Sequence, residues 1–382
     1  MKRILICIMA VLACGSIALA QTSKEERIKY IRKCYAEAKK KVDANGKNGK
    51  SPKDMQIIFN RLEDEEIPLY DTWSLNFYFD EKIVDGLATK QPPYLIVENW
   101  GNHGHIRYRE VLLDPKDNQV IFSYMRGETD GGFVVESRYY YDAQGQCIEE
   151  KHNTHNTWTM PETEKDNAEF YLKLFNMLTY NGYFTPLDLD SPKKPTTPKA
   201  ASKQEEWKPA STSEREQARP KVKAERLKHI RALYAQAKEK SAANDKAEMP
   251  NDLHITLHDL GDNQPPRTIE TRIYFNNDGI YFINSHSTSM QLNGYDEYLF
   301  EPRTKNLIFS YSRGAEEGEV SEWRYYFDEN GQCIETKTTN TDETDDGFYD
   351  KRAAKDWQAF FRTLINDDDV SDGDSELNNF AE

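Results

Sequence analysis

Cysteine is scarce in this 382-residue chain, and its distribution limits what it can do. Cys7 and Cys14 fall in the first twenty residues, leaving Cys34, Cys147 and Cys333, an odd number that argues against a disulfide framework. Positive charge is also lacking. The formal net charge is -15, and an acidic body is poorly suited to nucleic acid, where affinity comes mostly from phosphate neutralisation. No apolar run approaches the roughly 20 residues needed to span a bilayer as a helix. Chemistry-bearing motifs are missing too. Gly131-Gly132 has no phosphate-cradle spacing, and Ser123 and Ser310 lie in apolar runs without a nucleophile elbow or an adjacent base. No pattern calls for a cofactor or a metal.

At the N-terminus, Met1-Lys2-Arg3 precedes an apolar run from Ile4 to Leu12 and the small-residue site Ala18-Leu19-Ala20. This pattern predicts a secretory signal over 1–20, a mature start at Gln21, and a secreted or periplasmic protein. Val11-Leu12-Ala13-Cys14 supports an alternative, a lipoprotein anchored at Cys14.

A long internal repeat dominates the rest. Glu26–Lys39 matches Glu225–Lys238, Val120–Gly127 matches Leu307–Gly314, and Arg138–Glu149 matches Arg324–Glu335, in the same order at similar spacing. Such a period is too long for a solenoid. It predicts a first repeat domain at 21–184, a Pro/Lys/Ser/Thr linker at 185–222, a second repeat domain at 223–366 and an acidic tail at 367–382. Linker and tail have little to bury and are expected to be disordered, leaving two domains that move independently.

Each repeat should be α+β: an N-terminal helix, an antiparallel meander of five or six strands and a C-terminal helix, with the helices on one sheet face and the other face open to water. Ile28, Ile31, Cys34, Tyr35 and Ala38, like Leu227, Ile230, Leu233, Tyr234 and Ala237, recur at helical spacing. Ile57, Phe59, Leu75, Phe77 and Phe79 alternate as in strands, as do Ile255, Leu257, Ile273 and Phe275. Asp114-Pro115 and Glu301-Pro302 predict hairpins through type I turns. Phe170, Leu174, Phe175 and Leu178, and Trp357, Phe360, Phe361 and Leu364, form the stripes of the closing helices. Cys147 and Cys333 occupy one repeat position while Cys34 aligns with Leu233, so buried unpaired thiols are expected, with a Cys34–Cys147 bridge as the alternative.

The strings Tyr139-Tyr140-Tyr141-Asp142-Ala143-Gln144-Gly145-Gln146 and Tyr325-Tyr326-Phe327-Asp328-Glu329-Asn330-Gly331-Gln332 resemble the tyrosine–aspartate repeat hairpins of secreted bacterial shell proteins. The resemblance covers one hairpin per repeat and implies shared turn chemistry, not shared function.

His103-Gly104-His105 with His152 or His155 would suit a metal, but a polar loop whose backbone is set by Gly101 and Gly104 is the preferred reading; His254 and His258 could share a strand face as ligands but fit a solvated edge better. Glu136 with Glu149, and Glu322 with Glu335, would suit glycoside hydrolysis, but cross-strand pairing with Arg138 or Arg324 is simpler. An aromatic-basic face is the strongest candidate. Alternation places Arg138 and Tyr140 on one side of a strand, opposite Tyr139 and Tyr141, and Arg324 and Tyr326 repeat the arrangement. An outward tyrosine beside arginine would stack on a sugar or grip a peptide carboxylate, with Arg126 and Arg313 contributing; the competing role for the rings is packing under a helix. The expected function is a non-catalytic, envelope-associated binding module for a glycan or peptide, with an envelope hydrolase or hydrolase inhibitor as the alternative.

Overall fold

The computed structural model describes residues 2–47, 52–62, 70–84, 87–102, 105–128, 132–154, 159–180, 212–248, 250–260, 266–289, 292–316, 319–339 and 347–365. The first repeat contains α1 (Lys2–Ala44), β1 (Asp54–Leu62), β2 (Tyr70–Val84), β3 (Leu87–Asn102), β4 (His105–Leu113), β5 (Val120–Glu128), β6 (Val134–Tyr141), β7 (Cys147–His152) and α2 (Pro161–Tyr180). The second contains α3 (Thr212–Asn244), β8 (Asp252–Leu260), β9 (Pro266–Asn276), β10 (Gly279–Ser289), β11 (Leu292–Phe300), β12 (Leu307–Glu316), β13 (Glu319–Phe327), β14 (Cys333–Thr338) and α4 (Phe348–Ile365). The stretch expected to act as a signal is the beginning of α1. α3 begins within the segment expected to be a linker, whose earlier part, 185–211, lies outside the described residues, as does the acidic tail.

Each repeat is an antiparallel meander in which every strand pairs with its neighbour in sequence, and the described turns show how the chain reverses. At the first such turn Asn118 N–H donates to the Asp114 carbonyl (2.8 Å), and Lys305 N–H donates to Glu301 in the same way (2.9 Å). Both turns end in the left-handed region, at Asn118 (φ 62°) and Lys305 (φ 60°). Asparagine tolerates that region; lysine adopts it at a cost of about 1–2 kcal/mol. Lys305→Gly is therefore expected to raise stability by about 0.5–1 kcal/mol in thermal melts; a lowered melting temperature would contradict this. The hairpins at Asp142 and Asp328 share one turn chemistry. Asp142 Oδ1 accepts from the amides of Gln144 and Gln146 (both 2.9 Å), and Gly145 supplies a φ of 73°. Asp328 and Gly331 (φ 75°) repeat this in the second hairpin.

The two meanders are one sheet. Its order is β14-β13-β12-β11-β10-β9-β8-β1-β2-β3-β4-β5-β6-β7, joined where β1 pairs antiparallel with β8. That seam has pseudo-two-fold symmetry. Asn45 Nδ2 donates to Asp54 (2.7 Å) and Asn244 Nδ2 to Asp252 (3.2 Å), which makes Asp54 and Asp252 equivalent. Ile57 then lies opposite its own counterpart, Ile255. On either side of this pair, His258 Nδ1 meets Asp54 (2.7 Å) and Asn60 Nδ2 donates to Asp252 (3.0 Å). This is the self-complementary geometry of an isologous dimer interface, built within one chain.

Several expectations change accordingly. Among the described residues each repeat has seven strands, where five or six were expected. The tandem copies do not form separate sheets free to move, because β1 and β8 share a ladder and one apolar core crosses the seam. His254 and His258 lie on a strand paired on both sides and do not form a solvated edge. Helices cover both faces instead of one. On one face α2 and α4 pack over a core that runs from Leu75, Phe77 and Phe175 to Ile273, Phe275 and Phe361. Phe59 stacks on Phe275 across the seam, with centroids 5.4 Å apart. On the opposite face α1 and α3 bury separate clusters, Ile28, Ile31 and Ala38 over one half and Leu227, Ile230 and Ala237 over the other. Among the described residues, no helix is long and apolar enough to cross a membrane.

A candidate ligand pocket between helix and sheet

The α1/α3 face carries the candidate site. In the second repeat, a cavity of about 280 Å³ opens between α3 and the sheet, lined by Ile230, Arg231, Tyr234, Phe309, Tyr311, Arg324 and Tyr326. Helical spacing brings Ile230, Arg231 and Tyr234 to the sheet-facing side of α3. Alternation brings Phe309 and Tyr311 of β12, and Arg324 and Tyr326 of β13, to the same face, and Phe309 lies directly opposite Tyr326 in the ladder.

The corresponding residues of the first repeat are Ile31, Arg32, Tyr35, Phe122, Tyr124, Arg138 and Tyr140, identical at all seven positions. Their geometry repeats as well. Tyr35 and Phe122 centroids are 5.1 Å apart, and Tyr234 and Phe309 are 5.0 Å apart. The Phe–Tyr contact beneath them measures 5.1 Å in both repeats. Arg138 lies 5.0 Å over the Tyr124 ring and Arg324 4.9 Å over Tyr311; Arg32 lies 5.9 Å over Tyr140 and Arg231 6.0 Å over Tyr326. Packing alone would account for the buried aromatics. It does not account for the two arginines, since Arg32 and Arg231 are exposed.

A buried clamp holds the cavity tyrosine Tyr234 and its counterpart Tyr35. Tyr35 and Tyr108 both donate their hydroxyls to the Glu110 carboxylate, which Lys39 also meets at 2.8 Å. In the second repeat Tyr234 and Tyr295 donate to Glu297, with Lys238 at 2.7 Å. Burial, and then the hydrogen bond to Glu110, push the Tyr35 and Tyr108 phenols well above their usual range. They therefore remain protonated donors that hold the pocket's shape.

The six residues singled out from sequence are brought together, but with a different division of labour. Tyr140 and Tyr326 are only 5% and 6% exposed and pack under α1 and α3 as the floor, where an outward stacking ring was expected. Arg138 and Arg324 form the walls, each bonded along its own strand to Glu136 (3.0 Å) or Glu322 (2.8 Å). These carboxylates thus pair with the arginines along the strand, and Glu322 also lies across the ladder from Arg313. Arg126 and Arg313 are exposed at the rim, with Arg313 Nε 3.9 Å from Glu322. The cavity is lined by two guanidinium groups, Arg231 and Arg324, with Arg313 further along β12, and the carboxylates of Glu297, Glu322 and Glu335 lie beside its lining residues. Arg32, Tyr35, Phe122 and Tyr124 were not singled out from sequence, and their signal was identity between the two repeats. The lining is apolar, aromatic and cationic, an arrangement that can grip an anion beside an aromatic surface.

Other candidates are accounted for elsewhere. His103, Gly104 and His155 lie outside the described residues, and among the described residues no metal-ligating cluster occurs. His152 meets the Ser137 hydroxyl at 2.9 Å. Cys34, Cys147 and Cys333 are free thiols, partly buried. Ser123 is buried and donates to Glu164 on the opposite face, whereas the Ser310 hydroxyl has no partner among the described residues.

No family model, curated protein or solved structure matches the chain. The functional reading therefore rests on the pocket.

Proposed function

We propose that the protein is a non-catalytic binding module that takes one carboxylate-bearing sugar unit in each repeat, exported to the envelope or beyond by its N-terminal segment. One observation carries this reading: all seven pocket residues are identical in the two repeats, including an arginine on each helix that is exposed yet lies over a floor tyrosine, 5.9 Å from the Tyr140 ring and 6.0 Å from the Tyr326 ring. The chemistry fits. A guanidinium fork recognises a carboxylate, and a tyrosine face packs against the C–H surface of a sugar ring. At about 280 Å³, the cavity holds a group smaller than a typical drug-sized ligand.

The test is calorimetric titration of the full chain with trigalacturonate, using a neutral glucose trimer as control. Two equivalent sites are expected, with binding weakened by salt. Arg32→Ala with Arg231→Ala should lower affinity about 10- to 100-fold, the worth of a hydrogen bond to a charged group, without shifting the melting temperature. Equal binding of the neutral trimer, or none of the acidic one, would overturn the reading.

A further inference from the structure

The seam between the repeats sets how the two pockets are displayed. In a two-fold that pairs a strand antiparallel with its own counterpart, the axis runs perpendicular to the sheet, so equivalent features emerge on the same side. That is observed: α1 and α3 occupy one face, while α2 and α4 share a single core on the other. The cavity lies at β12–β13 and the equivalent residue set, with matching ring geometry, at β5–β6, ten strand spacings away in the fourteen-strand order. At about 4.8 Å per strand this is roughly 45–50 Å along a flat sheet, and less once twist is included.

The spacing is held by packing. Seven residues of β1 are registered against β8, the Phe59–Phe275 stack crosses the seam, and the core beneath is continuous. Linked sites gain avidity only when their separation matches that of the ligand groups. A flexible tether would bind many spacings weakly, whereas a shared sheet selects ligands that reach both pockets at once.

We propose that the chain is a rigid bivalent reader of acidic polysaccharide, binding both pockets to one polymer or to one polymer-coated surface. This rests on the carboxylate–sugar reading of each pocket. Short acidic oligosaccharides would fill the pockets singly, and tight capture would begin only above a threshold chain length.

The experiment compares trigalacturonate with immobilised polygalacturonate on the full chain. The variants are Arg32→Ala/Arg138→Ala, which disables the first pocket, and Arg231→Ala/Arg324→Ala, which disables the second. Arg32→Glu alone, an exposed charge reversal, serves as a second first-pocket variant if the double variant folds poorly. Each one-pocket variant should keep the wild-type trimer affinity at its remaining site. On the polymer it should bind at least tenfold more weakly than wild type, within the 100- to 10,000-fold gain open to linked sites. Polymer binding within twofold of wild type, with trimer binding intact, is the statistical loss of one of two independent sites; it would overturn rigid bivalency and leave the single-pocket reading standing. Absence of trimer binding would overturn both.

Discussion

Arg109→Met is expected to cost about 3–5 kcal/mol in urea denaturation, the usual result of removing one partner from a buried ion pair. Arg109 is 8% exposed on the α2 side of β4. Its guanidinium meets Glu98 at 2.5 Å and Glu164 of α2 at 3.1 Å, and donates to the Tyr171 hydroxyl at 2.7 Å. Trp73 Nε1 donates to Glu98 (2.6 Å), and the Ser123 hydroxyl donates to Glu164. Burial alone would lower the Arg109 pKa, but Glu164 and then Glu98 more than offset it, so the side chain stays charged. One cation thus serves two carboxylates in a low-dielectric layer, and its removal leaves both unpaired. Glu98→Leu/Arg109→Met/Glu164→Leu together should recover most of the loss, because replacing all the charged partners with apolar groups is often neutral or stabilising. A loss below about 1 kcal/mol for Arg109→Met would show that the two carboxylates find other partners.

The same place in the second repeat is built differently, and its behaviour should depend on pH. Asp296 occupies the position of Arg109, Ser285 that of Glu98 and Asp350 that of Glu164. Asp296 lies across the ladder from Ser312, whose hydroxyl is 3.5 Å from Asp350 of α4. Burial raises the Asp296 pKa from 3.8 to about 6, and the Ser312 hydrogen bond opposes this only in part. A folded-state pKa above the unfolded value means that the native state binds more protons between those limits. The stability it contributes is therefore present below the unfolded pKa and is lost as pH rises through about 6. Asp296→Asn should stabilise the protein by about 2 kcal/mol at pH 7.5, a value reduced from the full shift because the carboxyl keeps some contact with water. At pH 4 the gain should nearly vanish. Urea midpoints at the two pH values test this directly, and an equal effect at both would sink it.

Much of each repeat was legible in the residues. Ile28, Ile31 and Ala38 bury one stripe of α1 as their spacing predicts, and Leu174, Phe175 and Leu178 do the same for α2. Alternation correctly separated Tyr139 and Tyr141 from Tyr140, which lies on the opposite face. Arg109 was not foreseen as a core residue. A lone arginine in a strand reads as solvent-facing, and the carboxylates that neutralise it come from β3 and α2, 11 and 55 residues away. The arginine–tyrosine pairing was found from β6 and β13 alone, but α1 and α3, which turn the tyrosines into a pocket floor, are far away in sequence.

Local order was thus determined by the sequence: helix, meander and helix in each half, the described turns, and the alternation that separates Tyr140 from Tyr139 and Tyr141, because period, turn chemistry and alternation act over a few residues. The tertiary structure alone decided that β1 finds β8, that helices cover both faces, and that the two pockets share one side. A strand such as Ile57–Phe59 has the same pattern whether its edge meets water or its own counterpart, because backbone hydrogen bonds carry no side-chain signature. Only the self-complementary pairing about Ile57 and Ile255, closed by one core beneath both halves, makes the repeats a single sheet.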